Sequence, residues 1–258
     1  MVATSSSSQM AATSSSLLQD TVPPPESMYS YEVKCSLDTM TNFSVTLKII
    51  ERKLKDRAIW FKEHPQFQHI FHMPRQLHNY MALWALILRT AYISDDEWWT
   101  ILNGVPLRYS IREHALYTGL CCDPLPLYFE KCFEERHNLS LSFAEKYFID
   151  TSKVDILDVE QKLESMEEEN DDLVKMALLF FIGSVFKRKK NKKQSYIDVF
   201  YLKVVDNLSL CETFPWGTLS FNECIYNLSS MMKRAKGNPN KSWSFSCFIT
   251  PLEAISAL

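Results

Sequence analysis

The longest apolar run in this chain, Leu173 to Phe186, is 14 residues long and carries a single charge, Lys175. It falls short of the roughly 20 residues that cross a bilayer. It is better read as a buried helix. No other apolar run is longer, and no membrane segment is expected.

The rest of the chain has enough apolar material to build a core. Of 258 residues, 46% are hydrophobic and 23% charged, with a formal net charge of -3. Such a composition excludes a wholly disordered chain and allows one sizeable domain. Residues 1–40 differ from the remainder: residues 1–16 are rich in Ser, Thr and Ala, and Pro23-Pro24-Pro25 follows. They read as a disordered Ser/Thr/Pro-rich tail rather than an Arg-rich transit peptide. Residues 41–258 read as a single mainly helical domain.

Punctuation along 41–258 is mostly helical. Asn42 is expected to cap a helix running to Trp60-Phe61, which His64-Pro65 ends. Tyr80 to Ile93 reads as a second helix, apolar nearly all round and therefore a central one. Phe143 to Ile149, Ile156 to Met166 (opened by Asp155), Leu173 to Lys187 and Val199 to Leu210 follow. Phe214-Pro215-Trp216-Gly217 reads as a turn. Ser220 and Glu223 form a capping box that opens one more helix, which Gly237 to Pro239 stops. Trp243 to Ile249 is expected to hold a short strand.

One β element stands out. Trp98-Trp99-Thr100-Ile101-Leu102 meets Val105-Pro106-Leu107-Arg108-Tyr109 across Asn103-Gly104, a strong short hairpin signal because both turn residues tolerate positive φ. Pro106 has no N–H, so its strand should lie at a sheet edge. Ser110 with Glu113 completes a capping box, and Gly119 supplies the stop. The fold class expected is therefore mainly α (α+β), with a small hairpin near 98–109.

Chemistry is harder to find. The seven cysteines lack framework spacing and read as reduced, mostly buried thiols. Phosphate-cradling and nucleophile-turn motifs are absent, and with 5 Gly in the chain such loops are nearly excluded. His64, His69, His72 and His78 cluster, but Pro65 and Pro74 divide them, so packed edges are favoured over a metal site. Neither a catalytic residue nor a cofactor is expected.

Two features point to partners instead. The basic run Lys187, Arg188, Lys189, Lys190, Asn191, Lys192, Lys193 reads either as a nuclear-localisation signal or as a solvated loop. It follows an acidic stretch (Glu164, Glu167 to Glu169, Asp171, Asp172), so it also completes the charge order that a helix dipole favours. Without the run the chain is acidic, which argues against nucleic acid except through 187–193 itself. The second feature is the corner where the hairpin meets the capped helix: Trp98, Trp99, Arg108, Arg112, Glu113 and His114. It is either an interaction surface or a place where Arg112 and Glu113 satisfy each other and the cap.

Four blocks carry a family likeness: Trp60 to Phe67, Leu102 to Leu120, Val204 to Leu208, and Phe214 to Gly217. Together, over about residues 45–255, they resemble a plant domain of unknown function abundant in crucifer genomes. In that family the domain often precedes a SUMO-protease-type (ubiquitin-like-protein-specific) cysteine peptidase in proteins that look transposon-derived. The peptidase's Asp-Cys-Gly setting does not occur here, since Cys121-Cys122-Asp123 has the wrong order. The chain ends soon after Pro251-Leu252-Glu253, before a peptidase would start. The resemblance thus implies a non-catalytic interaction or adaptor module, nuclear or cytoplasmic, with a protein as partner. Two alternatives are an accessory or truncated part of a SUMO-protease-type peptidase and a DNA-binding remnant of a mobile element.

Overall fold

The computed structural model describes residues 37–41, 43–73, 80–167, 170–186, 196–236 and 242–255. At its centre is the apolar run: helix Asp171–Phe181 continues directly into one π turn, Ile182–Phe186, and from Leu173 onward nearly every side chain is buried. Asn170 caps the helix by accepting from the Leu173 N–H, and Asp171 and Asp172 occupy its first turn, where the dipole favours acid. The single charge in the run is neutralised in place. Lys175 Nζ lies 2.9 Å from Asp206 Oδ1, the two side chains being 17% and 10% exposed. Asp206 also accepts from Ser142 Oγ at 2.8 Å and the Phe143 N–H at 3.3 Å. Burial works to raise its carboxyl, but these hydrogen bonds outweigh it and hold the group below its ordinary value.

In chain order the described elements are β1 (Leu37–Thr39), α1 (Phe43–Leu54), α2 (Ile59–Glu63), α3 (Gln68–His72), α4 (Tyr80–Leu88), β2 (Thr90–Ile93), β3 (Glu97–Leu102) and β4 (Val105–Ser110). There follow α5 (Ile111–Thr118), α6 (Phe129–His137), α7 (Ser142–Tyr147), α8 (Ile156–Ser165), α9 (Asp171–Phe181), α10 (Val199–Val205), α11 (Leu208–Cys211), α12 (Trp216–Ala235), β5 (Trp243–Phe245) and α13 (Thr250–Ile255). Helices α1, α8 and α10 pack on α9, and α1 and α12 close on the π turn. The expected mainly helical class with a small β element is what the structure has.

Several elements depart from the sequence reading. The expected tail spans 1–40, yet Leu37–Thr39 pairs in parallel with Trp243–Phe245, and Leu37 is buried. These residues therefore belong to the fold; residues 1–36 lie outside the described ones, as do Asn42 and the stop expected at Gly237 to Pro239. The first helix is not continuous, because Lys55 takes a left-handed φ of 49° and a 3-10 turn over Lys55–Ala58 separates α1 from α2. The helix expected over Tyr80 to Ile93 ends at Leu88, and Thr90–Ile93 becomes a strand. Thr90 makes that break: its Oγ1 donates to Ile87 O at 2.8 Å and accepts from Trp98 Nε1 at 2.8 Å. Helix α6 was not anticipated at all.

The capping box at Ser220 is also overturned. Helix α12 begins four residues earlier, at Trp216, and Ser220 lies buried inside it. A distant carbonyl does the work of a local cap, since Gly217 N–H donates to Cys121 O at 2.8 Å. That approach requires glycine. A Cβ at 217 would lie 2.3 Å from Cys122 Sγ and 2.8 Å from Cys121 O.

Gln66 extends the same junction. Its buried Nε2 donates to Glu212 O (2.7 Å), Phe214 O (3.0 Å) and Cys211 O (3.1 Å), and its Oε1 accepts from the Cys121 N–H at 2.9 Å. Replacing it with leucine preserves bulk, and although Trp216 still donates to Cys211 O and Phe214 O, the Glu212 carbonyl and the Cys121 N–H lose their partner, at about 1–3 kcal/mol for each one that stays dry. Gln66→Leu is expected to lose about 2–4 kcal/mol of unfolding free energy. Urea titration of both proteins tests this, and equal midpoints would mean that the junction does not stabilise the fold.

Candidate functional site

The predicted corner forms as a three-stranded antiparallel sheet in the order β2-β3-β4, with α5 leaving its last strand. Asn103 and Gly104 both have positive φ, 51° and 78°, and Leu102 pairs with Val105, so the turn is the two-residue hairpin that Asn-Gly favours. Pro106 sits on β4, an edge strand of this sheet. Ser110 and Glu113 make the reciprocal capping box, and Gly119 closes α5 in the left-handed region with φ 69°.

Register sorts the site residues into two layers. Side chains of paired residues share a face, and neighbours along a strand alternate. Ile93, Trp98 and Tyr109 form one row and Tyr92, Trp99 and Arg108 the next. The first row faces the core: Trp98 is 1% and Tyr109 0% exposed. The second faces outward. Tyr92 is 54% exposed, and the Arg108 guanidinium lies 5.9 Å from the centre of the half-buried Trp99 ring.

The six residues expected at the corner therefore divide. Trp99, Arg108 and Arg112 reach the surface, whereas Trp98 and His114 belong to the interior. Glu113 lies between and takes its ion pair from Arg108, at 2.9 Å. No ion pair joins Arg112 to Glu113 among the described residues, so the alternative in which those two satisfy each other is replaced by an Arg108–Glu113 pair. Burial would raise Glu113, but hydrogen bonds from Ser110 and Arg108 hold its carboxyl below the ordinary value. Arg108 is thus fixed by the cap of the following helix while its guanidinium stays beside Trp99. Tyr92 completes the outer row and was missed, because its strand reads as the tail of an apolar helix. Thr90-Ala-Tyr-Ile before Ser94-Asp95-Asp96 was the available strand signal.

Beneath the sheet, the Tyr109 hydroxyl and His114 Nδ1 share a 2.6 Å hydrogen bond, and Phe221 of α12 packs against both rings. Burial pushes the Tyr109 phenol well up, reinforced by the Cys224 and Cys247 thiols. Cys247 is itself raised by burial, and Cys224 Sγ donates to Phe248 O at 3.1 Å. Burial alone lowers His114 to about 3. Six described cysteines are free: Cys211, Cys224 and Cys247 are buried, Cys121 and Cys122 half-buried, and Cys132 exposed. Burial also holds Cys122 and Cys211 protonated, up to about 12.

The histidine cluster does not assemble. His64 is buried between the Trp60 and Phe67 rings, its Nδ1 accepting from the Gln66 N–H at 3.2 Å. His69 packs where Gly119 passes, and the His72 ring pairs with Gln68 O at 2.7 Å. His78 lies outside the described residues. Among the described residues no group of three His, Cys, Asp or Glu could hold a metal ion, and no helix is long and apolar enough to cross a membrane. Lys187, Arg188, Lys189, Lys190, Lys192 and Lys193 lie outside the described residues.

Burial also lowers His64, to about 4, so both buried histidines stay neutral in the fold while an unfolded chain protonates them near 6.5. Their contribution is complete above about 6.5 and is lost as pH falls towards the folded values. Each contributes a slope of about 1.4 kcal/mol per pH unit in that window. Urea midpoints should fall steadily from pH 6.5 to 5, and less steeply for His114→Gln; a flat profile contradicts the neutral burial of these rings.

The comparisons with known proteins agree with this region of the chain. The family model described as Domain of unknown function (DUF1985) matches residues 87–227, which take in the sheet, α5 and most of α12 but not the Trp60 to Phe67 block. The Uncharacterized protein At3g43530 of Arabidopsis thaliana is 25% identical over 177 residues, covering 68% of this chain and 20% of that protein. The chain thus spans about a fifth of the length of that curated relative. No solved structure matches it. With more than half of its residues inside the family match, the chain belongs to the DUF1985 family of domains of unknown function.

Proposed function

We propose that this domain is a non-catalytic protein-interaction module that acts as an adaptor within a larger plant protein. The observation that carries the reading is the outward row Tyr92, Trp99 and Arg108, three residue types that dominate binding hot spots, set in register on a rigid sheet. Exposed Val105 and Leu116 add apolar area on the neighbouring hairpin turn and helix. The non-catalytic part of the proposal is supported by the state of the reactive groups. Burial keeps Cys122, Cys211 and Cys247 protonated, the reverse of an activated nucleophile, and shuts the His64 and His114 rings away from solvent.

The larger protein in this proposal is transposon-derived and, in some members, joined to a SUMO-protease-type peptidase, for which the domain would supply recruitment rather than chemistry. The length of the Arabidopsis relative, about five times the matched segment, is compatible with such a multi-part chain.

Proximity labelling in plant cells, with the full chain as bait, tests the interaction surface. Trp99→Ala with Arg108→Gln should reduce labelling of a specific partner about ten-fold, with thermal unfolding lowered only by the loss of one part-exposed ion pair. An unchanged labelled set overturns the assignment of this surface.

For localisation we propose nuclear entry driven by residues 187–193. A fluorescent fusion should concentrate in nuclei and lose that bias when the six basic residues become alanine. Equal distribution of both versions would defeat it.

A further inference from the structure

A cavity of about 270 Å³ opens beside the start of α6. Its wall is mostly aromatic, formed by Tyr128, Phe129, Phe200, Tyr201 and Phe214 with two leucines, and Glu130 is the only charged residue lining it among the described residues. The rings along this wall pack edge to face, and Phe200, Tyr201 and Phe214 are almost fully buried. Phe129 meets Phe214 at 62° and Phe200 at 78°, and Tyr201 meets Phe214 at 89°, with centroids 5.8, 6.3 and 6.4 Å apart. Pockets that enclose drug-sized ligands run to roughly 300–1,000 Å³, so this one suits a single head group.

Its electrostatics have one sign. Aromatic faces carry negative potential. Glu130 adds a formal charge at the lining, and Asp198 and Glu223 act with it on the buried Tyr201 hydroxyl, which burial first and these carboxylates second hold above its ordinary value. An anion is therefore disfavoured. A bare ammonium is strongly hydrated and loses that hydration on entry, whereas a methylated ammonium spreads its charge over apolar groups that aromatic faces hold well. Tyr128 forms the accessible side of the cavity: it is 80% exposed and stands in the left-handed region with φ 59°, a conformation an aromatic residue rarely adopts.

We propose that this cavity binds a quaternary ammonium group, of the kind carried by a trimethyllysine side chain or by choline. The site uses none of the residues of the outward sheet row, and it stands or falls separately from that surface.

Titration of the full chain by NMR tests it, with tetramethylammonium chloride, choline and N-acetyl-trimethyllysine amide as probes. N-acetyl-lysine amide and 3,3-dimethylbutanol, the neutral carbon isostere of choline, serve as controls. Cation–π recognition predicts that choline binds about five-fold tighter than the isostere, and that trimethyllysine exceeds lysine by at least as much. Tyr128→Asn removes the ring while keeping a residue that tolerates the left-handed region. It should weaken cation binding about five-fold, and Glu130→Gln about three-fold, with thermal unfolding unchanged. A peptide source predicts trimethyllysine tighter than choline, and a free head group predicts the reverse. Equal binding of cation and isostere, no shift with any cation at tens of millimolar, or full binding by Tyr128→Asn would overturn the proposal.

Discussion

The Gln66 side-chain amide is the junction on which the rest of the structure depends. It bridges the carbonyls of Cys211, Glu212 and Phe214 to the Cys121 N–H, groups 55 to 148 positions away in sequence. Helix α12 starts from the same place, since Cys121 O receives the Gly217 N–H. One amide thus fixes where the Leu120–Cys121 strand of chain runs, and that strand fixes where the longest helix begins. Because α12 presents Phe221 to Tyr109 and His114, the inner face of the sheet inherits its position from this junction.

The second constraint is electrostatic. A helix as apolar as α9 needs neighbours on every side, and Lys175 admits only a neighbour that brings a carboxylate. Asp206, at the end of α10, supplies it and is held in turn by Ser142 and Phe143 at the start of α7. Removing either charge leaves the other with little solvent, at a cost below the roughly 3–5 kcal/mol of a fully buried pair. The pair therefore selects which segments surround the central helix, a selection that apolar packing alone leaves loose.

What the sequence reveals follows how local the determinant is. Asn103-Gly104, Ser110 with Glu113, Asp155 and Gly119 act through their own backbone or that of residues within a turn, and each was legible. The apolar run also was, since burial of a uniformly apolar helix needs no knowledge of its neighbours. Ser220 failed for the complementary reason. It has capping chemistry at capping spacing, but the N-terminus it was assigned to is set by a carbonyl 96 positions away. The β1–β5 pairing is likewise non-local, three residues on each side with no alternation to detect. Helix α6 does carry a signal, Phe129 and Phe133 at i, i+4 among charged neighbours, but it buries no residue fully and stays close to background. At the corner, sequence chose the right elements and could not choose faces. The alternation that separates Trp98 from Trp99 needs a register, and the strand carrying Tyr92 had been read as helix.

That separation explains why the proposed role is recognition. A cysteine acts as nucleophile when its thiolate is accessible, and a histidine as base when its neutral ring is, whereas an anchor needs only to be rigid and half-exposed. In this fold burial keeps the thiols of the interior protonated and shuts its imidazoles away from solvent, so the groups with the most reactive chemistry serve packing. The outward groups meet the opposite condition. Trp99 is held by its strand on both sides, Arg108 by Glu113, and Glu113 by the cap of α5, so the arginine pays little conformational entropy on contact with a partner. The capping box that reads in sequence as a helix signal therefore has a second consequence. It orients the one guanidinium that the sheet displays beside its exposed aromatic row.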